Sequence, residues 1–326
     1  MLVPGLALVA VGTAVAVGVN RMVPAMSPLL IAIVLGAVVA NLVRLPERVR
    51  PGLAFAAKRM LRVGIALLGL QLLLGDILGL GWGIIAAVVA VVFLGITGTM
   101  VVGKFLGLSW TQRLLIACGF SICGAAAVAA VEGVVDAKEE EVVTAVALVV
   151  VFGTLMIPTV PLLSRVLGLS EIDAGLWAGG SIHEVAQVVA AGGALGGAAL
   201  AVAVVVKLAR VLMLAPVIAI LSVRRRRLAG PSSARRRPPL VPLFVAGFLA
   251  CAAVRSAGIL PAGIYDLGGL LQTTLLTAAM FALGAGVHIA TIRKVGARPF
   301  VLAAASTVWV ASIALTGVVI AATAGV

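Results

Sequence analysis

The chain has 326 residues, of which 63% are hydrophobic and 11% charged, with a formal net charge of +13 and a mean hydropathy of +1.28. Soluble domains carry about 25% charged residues, so a water-facing surface could not be covered and a soluble fold is excluded. Long uninterrupted apolar runs, with no alternating strand pattern, exclude a β-barrel and point to an all-α polytopic membrane protein.

Taken in order, the apolar runs predict about 10–11 transmembrane helices, at 2–19, 27–43, 59–77, 81–102, 111–134, 142–163, 174–192, 198–222, 240–257, 267–290 and 299–324. The first run lacks a basic leader and a cleavage site, so it reads as a retained helix. The intervals are short, and the expectation is one membrane domain over 1–326. Its one clear linker is the arginine-rich segment Arg224–Pro239, a cytoplasmic loop in this reading. Basic residues in alternate connections divide nineteen against three, with Lys207 and Arg210 inside a span. Short cytoplasmic loops collect Lys and Arg, which puts the N-terminus inside and the C-terminus outside, in a cell membrane. Lys138–Glu141 then falls outside and Arg165 inside. The basic clusters act as a topology signal; no nucleic-acid partner is expected. Cys118, Cys123 and Cys251 show neither CxxC nor Cys/His metal spacing, so no disulfide framework, metal or cofactor is expected.

Two stretches match at an offset of 60 residues: Gly119-Phe120-Ser121-Ile122-Cys123-Gly124 and Gly179-Gly180-Ser181-Ile182-His183-Glu184. A weaker echo links Gly64–Gly75 with Ala279–His288. Internal repeats with discontinuous helices are a transporter architecture, although alanine-rich helices also resemble one another by chance. With eleven complete crossings both Ser-Ile spans would run in the same direction. An inverted repeat therefore requires one of them to be re-entrant.

Glycines and a serine between Cys118 and Gly124 weaken a helix. A break there would free N–H groups that can hold an anion; the alternative is close packing through small residues. In the second stretch, Ser181, His183, Glu184 and Gln187 crowd into seven positions, with His183 and Gln187 sharing one helical face. An ionised carboxylate inside a membrane needs a partner or a proton. A hairpin turn near Gly192–Gly197 places Lys207 at the depth of Glu184, with Arg210 one turn further on. The expectation is a buried charge cluster of His183, Glu184, Lys207 and Arg210, either coupling or static. Ser121, Cys123, Gly124, Ser181, His183 and Gln187 are the candidate substrate contacts. Gln71 is expected to bond between helices, and Trp82, Trp110, Trp177 and Trp309 to anchor span ends.

The stretches SICGAAAVAAVEGVVDAKEEEV, FGTLMIP, WAGGSIHEVAQVVAAG, RVGIALLGLQLLLGDI and AMFALGAGVHIATIRKVG resemble the YeiH family of bacterial inner-membrane proteins over nearly the whole chain. Members are commonly labelled sulfate exporters. The family is grouped with cation/proton antiporters and anion transporters, whose folds use inverted repeats and broken helices. The resemblance implies a secondary transporter, with sulfate or a related sulfur oxyanion as substrate and a proton or cation as coupling ion. Where many relatives carry a serine after the first Ser-Ile-Cys-Gly, this chain has Ala125, Ala126 and Ala127. The open alternatives are a cation/proton antiporter and a non-transporting sensor or partner subunit; a homodimer is a further open question. No HExxH, P-loop or nucleophile triad suggests an enzyme.

Overall fold

The computed structural model describes residues 2–23, 28–43, 45–228, 243–286 and 296–323, which are helical with no strand. His288, Arg235–Arg237 and most of the linker lie outside them. Helices α1 (Val3–Met22) and α2 (Pro28–Leu42) lead into a composite helix. It is built from α3 (Arg50–Phe55), a π-turn (Ala56–Met60), α4 (Leu61–Leu68) and a 3₁₀ turn ending at Gln71. Short α5 (Leu74–Gly79) precedes α6 (Gly81–Phe105). Then come α7 (Trp110–Ser121), α8 (Ala125–Glu132), α9 (Glu139–Val166), α10 (Glu171–Ser181), α11 (Val185–Leu195), α12 (Gly197–Leu212) and α13 (Leu214–Leu228). Helices α14 (Leu243–Ala257), α15 (Ala262–Ala285) and α16 (Ala297–Thr323) close the described chain. Among the described residues, six helical spans are long and apolar enough to cross a membrane: α1, α6, α9, α12 continuing into α13, α15 and α16.

Side-chain contacts fix how neighbouring helices run. Gly83 approaches Ala321 and Gly103 approaches Leu302, so α6 and α16 are antiparallel. Leu70 meets Gly268 and Gly64 meets Leu276, so α4 and α15 are antiparallel as well. Helix α14 runs parallel to α4, with Ala66 against Gly247 and Leu74 bonded to Ser256. Gln71 Nε2 donates to Gln272 Oε1 at 2.5 Å, the interhelical bond expected of Gln71 from the sequence.

Two of the eleven apolar stretches do not cross; they turn back. In the first, α7 and α8 form a hairpin. Gly119 faces Val128 across it, and Ser109 and Thr111 at its start both donate to Glu141 at the beginning of α9. Glu132 at its end pairs with Lys58, and Arg225 holds Val134 and Asp136 just beyond. The two ends of the hairpin therefore share one face, here termed the basic face. In the second stretch, α10 and α11 form another hairpin. Glu171 at its start accepts from Ala198 and Ala199, just after its end. Between the hairpins α9 crosses once, so this second hairpin enters from the opposite face.

This arrangement corrects the expected positions of two charged segments. Lys138–Glu141 lies on the basic face with Arg225, and Arg165 lies on the other. Only α9 reverses, because the two turned-back stretches cancel for every later crossing. The first hairpin sits inside the bundle, whereas the second is buried from Trp177 to His183 and exposes Val189 on α11. From Leu114 to Val131 nearly every residue is buried, including both sides of each half-helix. A helix apolar all round belongs in a protein core or a membrane span, and burial on both sides shows that protein encloses this one.

Candidate functional site

Each hairpin begins with the same device. Helix α6 ends in a Schellman turn, with Leu108 N–H to Gly103 O at 3.1 Å and Gly107 at φ +70°. Helix α9 ends in the same way, with Leu169 N–H to Ser164 O at 3.0 Å and Gly168 at φ +65°. Ser109 and Ser170 then cap the next helix, accepting from Gln112 and Asp173 at 3.0 and 3.1 Å. Both turns read Leu-Gly-Leu-Ser, at 106–109 and 167–170. Glycine supplies the left-handed residue the turn needs and serine supplies the cap. This second repeated motif is as legible in the sequence as the Ser-Ile stretches, although the expectations above rest on the Ser-Ile stretches alone.

The tips, Ile122–Gly124 and Ile182–Glu184, meet in the interior. Each break frees carbonyls at the end of one half-helix and N–H groups at the start of the next. Two cations on one face of α12 take the carbonyls. Lys207 Nζ donates to Ile122 O, Ile182 O and His183 O at 2.9, 2.9 and 2.5 Å. Arg210 donates to Phe120 O and Ser121 O of the first hairpin, and to Gly179 O, Gly180 O and Ile182 O of the second, at 2.8–3.2 Å. Both side chains are 0% exposed. Cations at helix C-termini neutralise the negative ends of the dipoles. Gly179 permits this assembly, since a Cβ there would lie 2.4 Å from Ala203 O on α12.

The expected Glu184–Lys207 ion pair is therefore replaced. The two residues do lie near one depth, as the α11–α12 hairpin requires, but three carbonyls surround the ammonium and the described ion pairs do not include it. Nor does Glu184 sit within a helix. It is the half-buried N-cap of α11, and its carboxylate accepts from Ala125 N at 3.1 Å, the first N–H of α8. One carboxylate thus stands where the N-termini of two half-helices come together. At the equivalent position of the first tip stands Gly124, at φ +73°. A Cβ there would fall 2.3 Å from Glu184 Cγ. One tip supplies the carboxylate and the other leaves room for it.

The remaining candidates gather around this point. His183 is fully buried, its Nδ1 3.3 Å from Phe120 O and its Nε2 3.1 Å from Thr307 Oγ1. Its ring centroid lies 4.4 Å from that of Phe120. Thr307, on α16, was not among the sequence candidates, because an isolated threonine in an apolar helix carries no signal. Ser181 Oγ donates to Trp177 O in its own helix at 2.7 Å. Gln187 Oε1 accepts from Glu184 N at 3.1 Å, while its buried Nε2 has no partner among the described residues. Ser121 Oγ is likewise buried and without a partner among the described residues, and Cys123 is a buried free thiol beside Gly124. Trp177 does not sit at an interface. It is 4% exposed and its indole N–H donates to Ala311 O at 2.9 Å.

A cavity of about 710 Å³ lies between α3, α8, α9 and α15. It runs from the exposed Lys58 and Glu139 on the basic face to Ala125. Its floor is thus the residue whose N–H holds Glu184.

Fold and site together define a multi-pass helical membrane protein built around two opposed re-entrant hairpins. A family model described as "Conserved hypothetical protein 698" matches residues 4–303. A UPF0324 membrane protein of Corynebacterium glutamicum is 57% identical, over 96% of this chain and 91% of its own length. The UPF0324 inner membrane protein YeiH of Escherichia coli is 37% identical, over 94% and 90% respectively. A UPF0324 membrane protein of Bacteroides thetaiotaomicron is 36% identical, over 87% and 86%. The chain belongs to this UPF0324 family, that of YeiH. No solved structure matches it.

Proposed function

We propose that the protein is a secondary active transporter of a small anion, coupled to protons or cations. The observation that carries this reading is the tip-to-tip meeting of two broken helices from opposite faces, with Glu184 between their N-termini. Non-helical backbone at membrane depth persists where it is enclosed by protein or lines a wet cavity, and it is how transporters build central sites. Half-helix N-termini favour anions. The carbonyls that a cation would need are already taken by Lys207 and Arg210, which weighs against the cation/proton antiporter version. Sulfate or a related sulfur oxyanion is the substrate that the family resemblance suggests. Glu184, with His183 beside it, carries the coupling proton.

The basic face carries Lys58, Arg62, Lys104, Lys138, Arg224 and Arg225, and the opposite face Arg21, Arg165 and Arg255. This distribution supports a cytoplasmic basic face, an N-terminus inside and a C-terminus outside. The test is an uptake screen in proteoliposomes with sulfate, sulfite and organic sulfonates, with and without a pH gradient. Saturable uptake that follows the gradient and is lost in Glu184→Gln is expected. If none of these anions shows saturable uptake in the wild-type protein, the sulfur-anion reading fails.

A further inference from the structure

We infer that the groove between α6 and α16 binds an anionic phospholipid of the basic-face leaflet, with one acyl chain in the groove and the headgroup phosphate held by Lys104 and Arg298. The inference does not depend on what the protein transports.

The groove has a volume of about 840 Å³, within the roughly 300–1,000 Å³ of small-molecule sites. Gly98 gives it depth by making room for the Trp309 indole, since a Cβ there would lie 2.3 Å from Nε1. The polar atoms along it are already bonded within the protein. Trp309 Nε1 donates to Leu94 O at 2.9 Å and Thr97 Oγ1 to Phe93 O at 2.8 Å. Thr99 Oγ1 donates to Ser306 Oγ at 2.9 Å, and Ser306 Oγ to Leu302 O at 2.7 Å. What these bonds leave for an occupant is hydrocarbon. Both walls are membrane-spanning helices, so the hydrocarbon at hand is an acyl chain. From Arg298 to Trp309 a helix rises roughly 16 Å at about 1.5 Å per residue. That is about half of a roughly 30 Å hydrocarbon core, the depth of one leaflet.

Each wall ends in a cation at the same face. On α6 the lining residues Leu94, Gly98 and Val101 recur at helical spacing, and the stripe continues to Lys104. On α16 the stripe Trp309, Ala305 and Val301 runs back to Arg298. The two helices are antiparallel, so both exposed cations stand at the basic-face mouth. Arg298 also lies against the end of α6, where a Cβ on Gly107 would be 3.4 Å from its Nη1. Neither cation is in an ion pair among the described residues. The nearby Glu141 carboxylate accepts from Ser109 and Thr111, and Arg113, packed against Gly103, adds a further positive charge. Basic pockets between helices at the cytoplasmic side hold anionic headgroups. A zwitterionic headgroup brings its own cation and gains less here. A second copy docked about an axis normal to the membrane would bring its own Lys104 and Arg298 to the same mouth, where like charges repel.

The test is quenching of Trp309 fluorescence by phospholipids with brominated acyl chains, diluted into bilayers of unbrominated phosphatidylcholine. Trp82→Phe and Trp110→Phe remove two other tryptophans, and the buried Trp177 gives a constant background. At one low mole fraction, brominated phosphatidylglycerol should quench Trp309 more than brominated phosphatidylcholine, with a relative affinity of roughly fivefold for each cation. Lys104→Gln combined with Arg298→Gln should abolish this preference and leave the melting temperature near that of the parent. Ala305→Phe, which fills the groove, should reduce quenching by both lipids. Lys58→Gln removes a basic-face cation outside both stripes and should keep the preference. Equal quenching by the two lipids in the parent would overturn the inference, because the groove would then hold ordinary boundary lipid. Quenching by neither would overturn it too, with a second copy covering the groove. Undiminished quenching in Ala305→Phe would place the chain elsewhere. A preference lost in Lys58→Gln as fully as in the double variant would assign it to the general surface potential, and either result would refute the site.

Discussion

A carbonyl freed by a broken helix has no water to bond in a membrane interior, and a cation there has none either. Lys207 and Arg210 meet both needs together, which is why two charges sit at 0% exposure without an ion-paired carboxylate among the described residues. The residues and their common depth are legible in the sequence, because a glycine-rich turn between two apolar runs sets that depth. Their partners are not, because residue types do not reveal which backbone groups a break will free. Arg210 bonds five carbonyls across both tips through three nitrogens, more than the three N–H groups of a single ammonium can serve. Arg210→Lys should therefore leave some of these carbonyls without a donor, although Lys207 still bonds both tips. Each orphaned carbonyl costs about 1–3 kcal/mol. Lys207→Met should cost a similar amount for each of Ile122 O and His183 O, while Ile182 O keeps its bond to Arg210. Thermal unfolding in detergent checks both: each variant should melt well below the wild type, and an unchanged midpoint would mean that the carbonyls have other donors.

At the scale of elements, the hairpins are coded by their punctuation. The Leu-Gly-Leu-Ser turn stops a long helix, turns the chain and caps a short one, and it does so twice. The break within each hairpin was legible from Gly119-Phe120-Ser121-Ile122 and Gly179-Gly180-Ser181-Ile182. The return of the chain to its starting face was not. A run of about 20 apolar residues satisfies the length rule whether it crosses or folds in half. What decides is the contact of Ser109 with Glu141 and of Glu171 with Ala198, pairs of residues 32 and 27 positions apart. Such contacts leave no periodic trace. Replacing either cap, Ser109→Ala or Ser170→Ala, should lower stability by about 1 kcal/mol, the usual worth of an N-cap. The pair in combination should cost about the sum, because the caps lie at opposite faces and share no partner. Denaturant titration of the two single variants and the double variant measures this, and a double variant as stable as the wild type would deny the caps any role.

For the whole molecule, the eleven apolar stretches and the bias of basic residues gave the right class of protein while hiding the reversal of α9. The two turned-back stretches offset each other. Moving Lys138 to the basic face and Arg165 off it leaves the charge bias intact, so the bias could not expose the exchange. The functional reading rests on this topology: two hairpins enter from opposite faces and bring Gly124 and Glu184 together. With eleven complete crossings, the Ser-Ile segments would be parallel spans and their half-helix ends would not converge. The most direct measurement is the sidedness of single cysteines in oriented membrane vesicles, read with a membrane-impermeant maleimide in a background free of Cys118, Cys123 and Cys251. Lys104→Cys marks the basic face at the end of α6. The structure predicts that Lys138→Cys is labelled from the same side as Lys104→Cys, and Arg165→Cys from the opposite side. Labelling of Arg165→Cys from the Lys104 side, with Lys138→Cys reached from the other, would contradict the opposed hairpins and the site they form.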